Sequence, residues 1–396
     1  MNSFTETATT TSIVEIKKKQ YITGILKEIY NSGEMTIAQL AKQLHTSVPS
    51  ITVYINELIS ECWIYEVGSS ITKSGRRPSL FDINSNKNSI LVIDINIYQT
   101  NLYIVNLRNE ILEQTSVEVN INDHEIIKVI KNAAKNFISE KSIWAIGISS
   151  PGLLSSENGI NFTYPHLNRN NESFAHLIGN ALELPTFISH DTQASMIGEH
   201  HFGLAKNMKN VLLINLDWGI GLGILSNGQI IKGADGFAGE LGHIQIKPDG
   251  ILCHCGKKGC LETVASALAL VNKAKEGLAI GKSSTLSLIK DVIRLEDIID
   301  AALKGDEFSI DLIFDIGREL GKGLSIAIHM FNPEIIIIDG ILTKAGELII
   351  STLYQAINKY CLLDFKKNLQ VKISPMGEKA KIFGIKSLVF DKMITN

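Results

Sequence analysis

The segment "HIQIKPDGILCHCGKKGCLE", residues 243–262, holds three of the five cysteines in this chain of 396 residues. Cys253, Cys255 and Cys260 follow the spacing C-x-C-x4-C, and His243 lies ten residues before the first of them. Three thiolates and one imidazole complete a tetrahedral zinc ion with no open coordination position, so the spacing predicts a structural zinc site. The competing interpretations are chance and a set of redox thiols, which would need neither a third thiol nor a histidine.

His254 offers an alternative imidazole to this cluster. Because it stands directly between two ligand cysteines, its simultaneous coordination would be strained, and we expect His243 to be the ligand. Gly256 and Gly259 allow the chain to turn tightly around the ion. Zinc would then tie the loop ending at His243 to the loop that reaches Glu262.

Acidic side chains follow predicted strands and glycine-rich loops in three places. Asp191, in "SHDTQAS", comes just after an apolar strand, "GADGFAGELGHIQI" carries Glu240 and His243, and "GCLE" carries Glu262. Carboxylates and an imidazole on successive loops can form charge-assisted hydrogen bonds to vicinal hydroxyls, which is what a sugar pocket requires. The alternative interpretation is that these acidic side chains are simply solvated.

The N-terminal region has the pattern of a helix-turn-helix. A helix in "QYITGILKEIYNSG" stops at Gly33, a short helix follows in "TIAQLAKQLH", and a third begins after Ser47 as N-cap with Pro49 in its first turn. The apolar spacing predicts that these residues face inward: Ile22, Ile25, Leu26, Ile29, Ile37, Leu40, Ala41, Leu44, Ile51, Ile55, Leu58, Ile59 and Cys62.

The third helix and the segment after it offer contacts for DNA. Two alternating strands, "WIYEVGSS" and "PSLFDIN", flank "ITKSGRRP" and read as a wing with a basic tip that suits phosphates or a narrow minor groove. The candidate DNA contacts, on the exposed front of the third helix and on the wing, are Ser50, Thr52, Val53, Tyr54, Lys73, Arg76 and Arg77. The alternative is a three-helix protein-interaction module with a solvated basic loop.

From residue 89 onward the sequence predicts an α/β body. The strands "SILVIDI", "NLYIVNL" and "EILEQTSVEV" precede a helix near residues 125–139 and the strand "IWAIGIS". The strands "NVLLINLDW", "GLGILS" and "QIIKGA" repeat the pattern, and "PEIIIIDG" follows later. Two such units predict duplicated lobes with a cleft between them, where loops at the strand ends bind ligands.

Charge, cysteine count and hydropathy argue against a strongly basic, a disulfide-bonded or a membrane-spanning protein. The net charge is −3, and residues 1–80 carry eight Lys or Arg against seven Glu, so charge alone gives no signal for nucleic acid. An odd number of cysteines argues against a disulfide framework, and Cys62 and Cys361 are expected to be core residues. With no apolar run long enough to span a membrane and no signal-peptide pattern in "MNSFTETATTTS", we expect a cytoplasmic protein without membrane association.

"GFAGELGH" followed by "CHCGKKGCLE" resembles the signature of the ROK family (repressors, open reading frames and kinases), and the winged module ending in "GRRP" is similar to that of ROK repressors of xylose and N-acetylglucosamine operons. The resemblance implies duplicated actin-like, hexokinase-like (ribonuclease H-like) lobes after a winged helix-turn-helix domain. It implies zinc on His243, Cys253, Cys255 and Cys260. It also implies a sugar site formed by Gly152, His190, Asp191, Glu240, His243 and Glu262. The family usually has asparagine where this chain has His190, which could alter the sugar accepted.

The implied domain organisation has four parts. We expect a disordered leader at 1–14, the winged helix-turn-helix domain at 15–84, a first lobe at 88–205 and 380–396, and a second lobe with the zinc-binding loop at 206–379. We expect the chain to act as a homodimer, and pairs of dimers would form a tetramer.

The loops that would hold ATP in a ROK kinase depart from the family pattern. Asp94 is kept, but Asn96, Ile97 and Tyr98 replace two glycines and a threonine. "DWG" puts Asp217 and Trp218, which add charge and bulk, where Gly-Thr-Gly is usual. Near the adenosine, Asp339 precedes Gly340 in place of Gly-Gly. We therefore expect no catalytic residue and no kinase activity, although Asp191 is the equivalent of the kinase base.

The hypothesis is a sugar-responsive transcriptional regulator, a repressor of carbohydrate-metabolism genes, that binds operator double-stranded DNA and responds to a sugar or sugar phosphate inducer. One alternative is an active hexose or N-acyl-hexosamine kinase with an appended DNA-binding domain. Another is a regulator controlled mainly by a protein partner, for which the sequence has no distinguishing motif.

Overall fold

A computed structural model describes residues 13–69, 78–139, 141–169 and 172–395. Residues 13–69 and 78–83, as described, contribute three helices and a small antiparallel sheet in the order β1-β3-β2. Thr36 and Ser47 cap the second and third helices through their side-chain oxygens. The elements of this N-terminal domain are α1 (Ile13–Ser32), β1 (Met35–Thr36), α2 (Ile37–Gln43), α3 (Val48–Ser60), β2 (Ile64–Ser69) and β3 (Ser79–Ile83).

The predicted apolar stripes of the three helices form the core of this domain, with two exceptions at the end of α3. Ile59 is 37% exposed and Cys62 is exposed, so the prediction that both are buried is wrong. The helix ends at Ser60, and Cys62 has a φ of +60°, so the chain has left the helical repeat before it reaches this cysteine. Cys361 is buried, as predicted.

The first lobe contains a five-stranded sheet in the order β10-β7-β4-β5-β6. Strands β4, β5 and β6 are antiparallel neighbours, whereas β4, β7 and β10 run parallel. The elements of this lobe are β4 (Ser89–Ile95), β5 (Thr100–Asn106), β6 (Ile111–Val117), α4 (Ile126–Phe137), β7 (Ile143–Ser150), β8 (Leu154–Ser155), β9 (Ile160–Asn161), α5 (Phe174–Leu182), β10 (Thr186–His190) and α6 (Asp191–Phe202).

The second lobe repeats the same topology with the order β13-β12-β11-β14-β15, which confirms the predicted duplication. The predicted strand "QIIKGA" is shortened to two residues because the glycine-rich loop starts immediately after it. The elements are β11 (Val211–Leu216), β12 (Ile220–Ser226), β13 (Gln229–Ile230), α7 (Glu262–Ala265), α8 (Ala267–Ala279), α9 (Leu295–Leu303), α10 (Glu307–Phe331), β14 (Ile335–Asp339), α11 (Glu347–Tyr360), α12 (Leu363–Lys366) and β15 (Gln370–Ile373).

Helix α13 (Glu378–Thr395) returns from the second lobe to the first and packs against α6. The two helices approach closely because each has a glycine at the crossing, Gly198 in α6 and Gly384 in α13, that lies against the backbone of the other helix. A Cβ at either position would lie within 2 Å of a backbone carbonyl oxygen, 1.9 Å for Gly198 and 1.8 Å for Gly384. Apolar side chains of α13 then fill the space beneath the sheet of the first lobe.

The N-terminal domain and the first lobe share one hydrophobic core. The ring of Tyr30 in α1 stacks on Phe390 of α13 with centroids 4.1 Å apart, and its hydroxyl hydrogen-bonds to Ser387 Oγ at 2.8 Å. The guanidinium of Arg108 donates to the carbonyl of Tyr30 at 3.2 Å and pairs with Asp82. These contacts fix the N-terminal domain to one lobe. Among the described helices, none has the length and apolar character needed to cross a membrane.

Candidate functional site

The four predicted metal ligands lie together in the loop between β13 and α7. His243, Cys253, Cys255 and Cys260, here named the thiol cluster, place their ligand atoms within 4.8 Å of one another. The sulfur atoms of Cys255 and Cys260 are 3.6 Å apart, and Cys253 Sγ is 3.6 Å from His243 Nδ1. Tetrahedral zinc with bonds of about 2.3 Å to sulfur and about 2.0 Å to nitrogen separates its ligands by roughly 3.5–3.8 Å, so the cluster is compatible with a structural zinc ion.

A second set of groups in the same loop could also bind a cation. His243, His254 and Glu262 satisfy the same distance criterion, and His254 Nδ1 lies 3.0 Å from Glu262 Oε1. His254 is exposed, and this set contains no thiolate and only three ligands. Three cysteines and an imidazole match the preference of zinc for sulfur and nitrogen better, so the thiol cluster is the stronger candidate.

Two glycines shape the loop around the cluster, as the sequence predicts. Gly256 has a φ of +85° and Gly259 a φ of +75°, a region that favours glycine. Gly259 also lies against the carbonyl of Lys247, where a Cβ would approach the oxygen to 1.6 Å. A larger residue at Gly259 would therefore displace the strand-like segment that carries Cys260.

His243 has one ring nitrogen in the thiol cluster and the other directed to the cleft. Its Nδ1 is 3.6 Å from Cys253 Sγ, whereas its Nε2 is 3.8 Å from Glu240 Oε2. Glu262 lies beneath the same ring, with Oε1 3.4 Å from Nδ1. With Nδ1 as the metal ligand, Nε2 is the nitrogen of this imidazole that remains available on the side of Glu240.

Asp191 is the first residue of α6 and lies at the carboxyl end of β10. The backbone N–H of Thr192 donates to Asp191 Oδ1 at 2.5 Å, and the Thr192 hydroxyl donates to the same oxygen at 3.0 Å. His190 is the N-cap of the helix, and its Nδ1 accepts from the Thr192 N–H at 3.2 Å. His190 therefore performs the capping that an asparagine would perform, and its Nε2 is left free of that role.

Tyr164 lies near predicted sugar-site residues of both lobes. Burial raises the pKa of its hydroxyl, and the nearby carboxylates of Asp191 and Glu262 raise the pKa further. Gly152 lies against Thr163 and Tyr164, with a φ of +94° that a side chain would strain. Gly152 therefore lies directly beside Tyr164, the residue whose hydroxyl is influenced by Asp191 and Glu262.

Two residues that replace the usual phosphate-loop residues, Tyr98 and Trp218, contact each other across the cleft. Tyr98, in the loop after β4, contacts Trp218, in the loop after β11, edge to face with centroids 5.3 Å apart. Asp94 is the next-to-last residue of β4, Asp339 ends β14, and Asp217 follows β11. Together with Asp191, these three form a set that we name the aspartate cluster.

One residue of this region is not singled out by the sequence pattern. Lys381, in the first turn of α13, places its Nζ 2.9 Å from Asp94 Oδ1. From the sequence alone, a single lysine in this last helix is expected to be exposed at the surface. Only the three-dimensional structure shows that Lys381 lies beside Asp94.

The candidate DNA face on α3 is partly engaged in local contacts. Ser50 Oγ bonds to Ser47 Oγ at 2.8 Å, and the Thr52 hydroxyl donates to the carbonyl of Val48 at 2.9 Å. Val53 is exposed, whereas the ring of Tyr54 stacks on Tyr21 of α1 at 5.8 Å. Lys73, Arg76 and Arg77 lie outside the described residues.

Asn56 is exposed three residues after Val53, and the sequence pattern does not single it out. Its amide is a side-chain type that can pair with an adenine edge in a major groove. Its exposure beside Val53 is visible only once the inward face of α3 is assigned by the structure.

Comparison with known proteins covers nearly the whole chain. Residues 90–392 match the model of the ROK family, and residues 23–66 match the model of the MarR family. The N-acetylglucosamine repressor of Escherichia coli O6:H1 is 28% identical over 375 residues, which is 93% of this chain and 92% of that protein.

Two solved structures are similar in fold as well as sequence. A ROK family transcriptional regulator, a homologue of the E. coli MLC protein, superposes with a TM-score of 0.83 at 30% identity, over 96% of this chain and 98% of that one. A ROK family glucokinase from Streptomyces griseus, solved with glucose and AMPPNP, has a TM-score of 0.69 at 27% identity, over 76% of this chain and 99% of that one.

Proposed function

The chain belongs to the ROK family, and from that premise we propose that it is a sugar-responsive, DNA-binding transcriptional repressor of carbohydrate-metabolism genes. The N-acetylglucosamine repressor and the ROK transcriptional regulator align with 93% and 96% of it. The glucokinase aligns with about three quarters of it, 76%, which leaves the N-terminal domain without a counterpart. A regulator that binds chromosomal DNA in a bacterium works in the cytoplasm, and we place this chain there.

One structural observation carries the proposal: two helices run from the cleft to the N-terminal domain. Helix α6 begins with Asp191 in the cleft, and at its other end His201 Nδ1 hydrogen-bonds to Asn31 Oδ1 at 2.8 Å. Helix α13 carries Lys381 in its first turn, beside Asp94, and Phe390 nearer its other end, against Tyr30. A sugar that shifts the N-termini of these helices would move the residues that hold the DNA-binding domain.

For the sugar to act as an inducer, it must bind one arrangement of the two lobes more tightly than the other. An affinity ratio of about 10⁴ moves a population from 1:99 to 99:1, and a smaller ratio only tunes repression. We assign the sugar contacts to Glu240, His243 and Glu262 in the second lobe and to Gly152, His190 and Asp191 in the first. A ligand held by both lobes is able to favour the closed arrangement.

The thiol cluster would hold zinc in a structural role. Four protein ligands leave no open position, so the metal would supply rigidity rather than catalysis. His243, Cys253, Cys255 and Cys260 would then keep the loop before His243 and the helix that begins at Glu262 in one fixed relation. We propose that the active regulator is a homodimer, because operator half-sites with two-fold symmetry require two DNA-binding domains.

The function is tested by binding to DNA that the protein itself selects from a random pool. Replacing Arg76 and Arg77 by Ala should weaken operator binding and lower its salt dependence by about two units of slope, because two phosphate contacts are lost. Fluorescence anisotropy at several salt concentrations measures both quantities. Sugar binding by the same variant, followed by thermal shift, is the control and should equal that of the unaltered protein.

Inducer identity follows from the same assay with a sugar panel that includes N-acetylglucosamine, glucose, xylose and their phosphates. Release of the operator by one sugar supports the repressor and names its inducer class. DNA binding that no sugar or sugar phosphate changes would contradict the sugar response, and failure of the chain to select any DNA would contradict the regulator.

The kinase alternative draws support from the similarity to the glucokinase and from Asp191, which stands at a helix N-terminus where a general base is needed. Against it, Tyr98 contacts Trp218 where a triphosphate should lie, and Asp217 adds a carboxylate there. A coupled assay for ADP release with the same sugar panel decides the matter, and turnover above background would favour the kinase.

A further inference from the structure

The chain passes between the two lobes at two places. The first connection, residues 203–210, leads from the end of α6 to β11, and the second connection, residues 374–377, leads from β15 to α13. Because hinge movements are absorbed by a few residues at the ends of elements, any change in the angle between the lobes must be taken up in these two segments. The contacts that hold the two connections therefore determine how the lobes can move.

The side chain of Glu199, in the last turn of α6, bonds to both connections. Its Oε2 accepts the backbone N–H of Leu204 in the first connection at 2.6 Å. Its Oε1 accepts the hydroxyl of Ser374 in the second connection. The hydroxyl oxygen of Ser374 in turn accepts the N–H groups of Met376 at 3.1 Å and Gly377 at 3.3 Å. One carboxylate thus links the backbones of the two connections.

This carboxylate depends on the bonds that it accepts. Glu199 is fully buried, and Ser374 is only 7% exposed. None of the ion pairs between described residues involves Glu199. A buried carboxylate without a counter-ion is costly unless its oxygens are hydrogen-bonded. Loss of the bond to either connection would leave a buried oxygen unpaired, so the two connections depend on each other through this residue.

Close packing brings the two connections to the same point. Gly203 is the first residue of the first connection, and a Cβ at this position would lie 2.0 Å from Glu199 Oε2 and 2.8 Å from Met376 Sδ. Gly198, one residue before Glu199, lies against the carbonyl of Ala380 in the first turn of α13. The two connections therefore meet where α6 and α13 cross.

The N-terminal domain is held next to this point. The ring of Phe202, the last residue before the first connection, contacts Tyr30 of α1 edge to face with centroids 6.1 Å apart. The neighbouring His201 hydrogen-bonds through Nδ1 to Asn31 Oδ1 at 2.8 Å. Movement of the second lobe about the end of α6 would therefore act on the residues that hold α1.

We propose that Glu199 is a positioning residue that joins the two connections into a single hinge, so that the second lobe turns relative to the first about the end of α6. The second part of the proposal rests on the proposed sugar response: through this hinge, closing of the lobes on a sugar changes how α6 holds the N-terminal domain. Two independent connections would instead let the second lobe shift without acting on that end of α6.

The hinge is tested by hydrogen exchange of the full-length protein without sugar or DNA, read at single amides by fragmentation mass spectrometry. Glu199→Gln keeps an acceptor for the N–H of Leu204, but it turns an amide N–H₂ towards Ser374, whose oxygen already accepts two N–H groups. Exchange at Met376 and Gly377 should rise roughly tenfold, although neither amide is bonded to Glu199. Unchanged exchange at these two amides in the folded variant would overturn the proposal.

Glu334→Gln is the matched control. The side chain of Glu334 is bonded to the other end of the first connection, where its Oε1 accepts the N–H groups of Lys209 at 3.0 Å and Asn210 at 2.8 Å. It has no bond to the second connection, so exchange at residues 374–377 should equal that of the unaltered protein.

Ser374→Ala breaks the same link from the other side and decides the matter if Glu199→Gln does not fold. Exchange at Leu204, which is bonded to Glu199 and not to Ser374, should rise because the carboxylate has lost one of its two bonds. A rise confined to the second connection would mean that the two connections are independent, and it would contradict the hinge.

Transmission through the hinge is measured as the ratio of the operator dissociation constants with and without N-acetylglucosamine, glucose or xylose, tested in turn. In Glu199→Gln this ratio should fall at least about fivefold towards one, while the sugar dissociation constant without DNA changes less than about threefold. A merely structural role would lower the Tm and leave the ratio unchanged, which would overturn this part of the proposal. A ratio of one in the unaltered protein would contradict the sugar response instead, and hydrogen exchange would then decide the hinge alone.

Discussion

The thiol cluster and the aspartate cluster are two ways of gathering charged ligands at the same cleft. The thiol cluster is drawn from residues 243–260 of one loop in one lobe. The aspartate cluster is drawn from residues 94–339 and takes two carboxylates from each lobe. The first can fold around a metal ion as a local unit, whereas the members of the second lie at the ends of four strands in two lobes.

The two clusters would therefore make different parts of the molecule rigid. A metal within one loop fixes the shape of that loop and the side chains it carries, which include His243 and the segment before Glu262. The ion pair of Lys381 with Asp94 instead ties α13 to β4 within the first lobe. We therefore expect the second-lobe half of the predicted sugar site to depend on the thiol cluster and its first-lobe half to depend on the pair of Lys381 and Asp94.

The largest effect should come from breaking the thiol cluster. Cys255→Ser removes one predicted zinc ligand at an exposed position, so it opens no cavity. Zinc affinity should fall by more than about 100-fold, which exceeds the loss typical when a residue that only hydrogen-bonds a metal ligand is replaced. Metal content after dialysis and titration with candidate sugars measure the two consequences, since sugar binding should be lost as well.

Cys62→Ser is the matched control, because Cys62 is also exposed but lies in the N-terminal domain. It should retain zinc and sugar binding. A Cys255→Ser protein that retains its zinc and responds fully to sugar would refute the thiol cluster as a metal site.

A smaller effect should come from breaking the aspartate cluster. Asp94→Asn leaves Lys381 without its nearest carboxylate, and breaking a buried ion pair typically costs about 3–5 kcal/mol. Because Asp191 and Asp217 remain nearby, we expect about 2–3 kcal/mol of the unfolding free energy to be lost. Chemical denaturation measures this difference.

The control for that prediction is Glu296→Gln, which breaks an exposed pair with Lys344 in which the side chains are 50% and 58% exposed. The expected cost is below about 1 kcal/mol. Equal costs for the two variants would mean that Asp94 and Lys381 interact no more strongly than a pair on the surface.

The smallest effect should come from the side chains that lie between the clusters. Glu240→Ala removes one charged hydrogen-bond acceptor from the cleft and should lower sugar affinity by roughly 10–100-fold, about 1.5–3 kcal/mol, with operator binding unchanged in the absence of sugar. Asp235→Ala alters an exposed carboxylate on the same loop and should change neither quantity. Full induction of Glu240→Ala by the same sugar concentration would exclude this residue from the site.

The comparison also explains how much the sequence could predict. The thiol cluster can be predicted from the sequence because its four residues are close along the chain and cysteine is rare elsewhere in it. The duplicated sheets and the three N-terminal helices can also be predicted, because apolar residues repeat with the period of a strand or of a helix in each segment. Ser47 as N-cap and the two loop glycines are local features, and the structure agrees with them.

The aspartate cluster could not be assembled in the same way. Asp94, Asp217 and Asp339 stand out only as departures from the family pattern, and nothing in their spacing indicates that Lys381 faces them. The helical period predicts that Cys62 is buried, but α3 ends at Ser60, before that residue. The contact of Tyr98 with Trp218 joins residues that are distant in the chain, and only the tertiary arrangement brings them together.

The return of α13 to the first lobe has a consequence for synthesis on the ribosome. The N-terminal domain and the strands of the first lobe are made before the second lobe, but α13, which supplies Phe383, Ile385 and Phe390 to their shared core, is made after it. Until then the nascent chain exposes the apolar surface that α13 will cover, a surface of the kind that chaperones bind. The DNA-binding domain therefore reaches its final position only after the residues that respond to the effector have been translated.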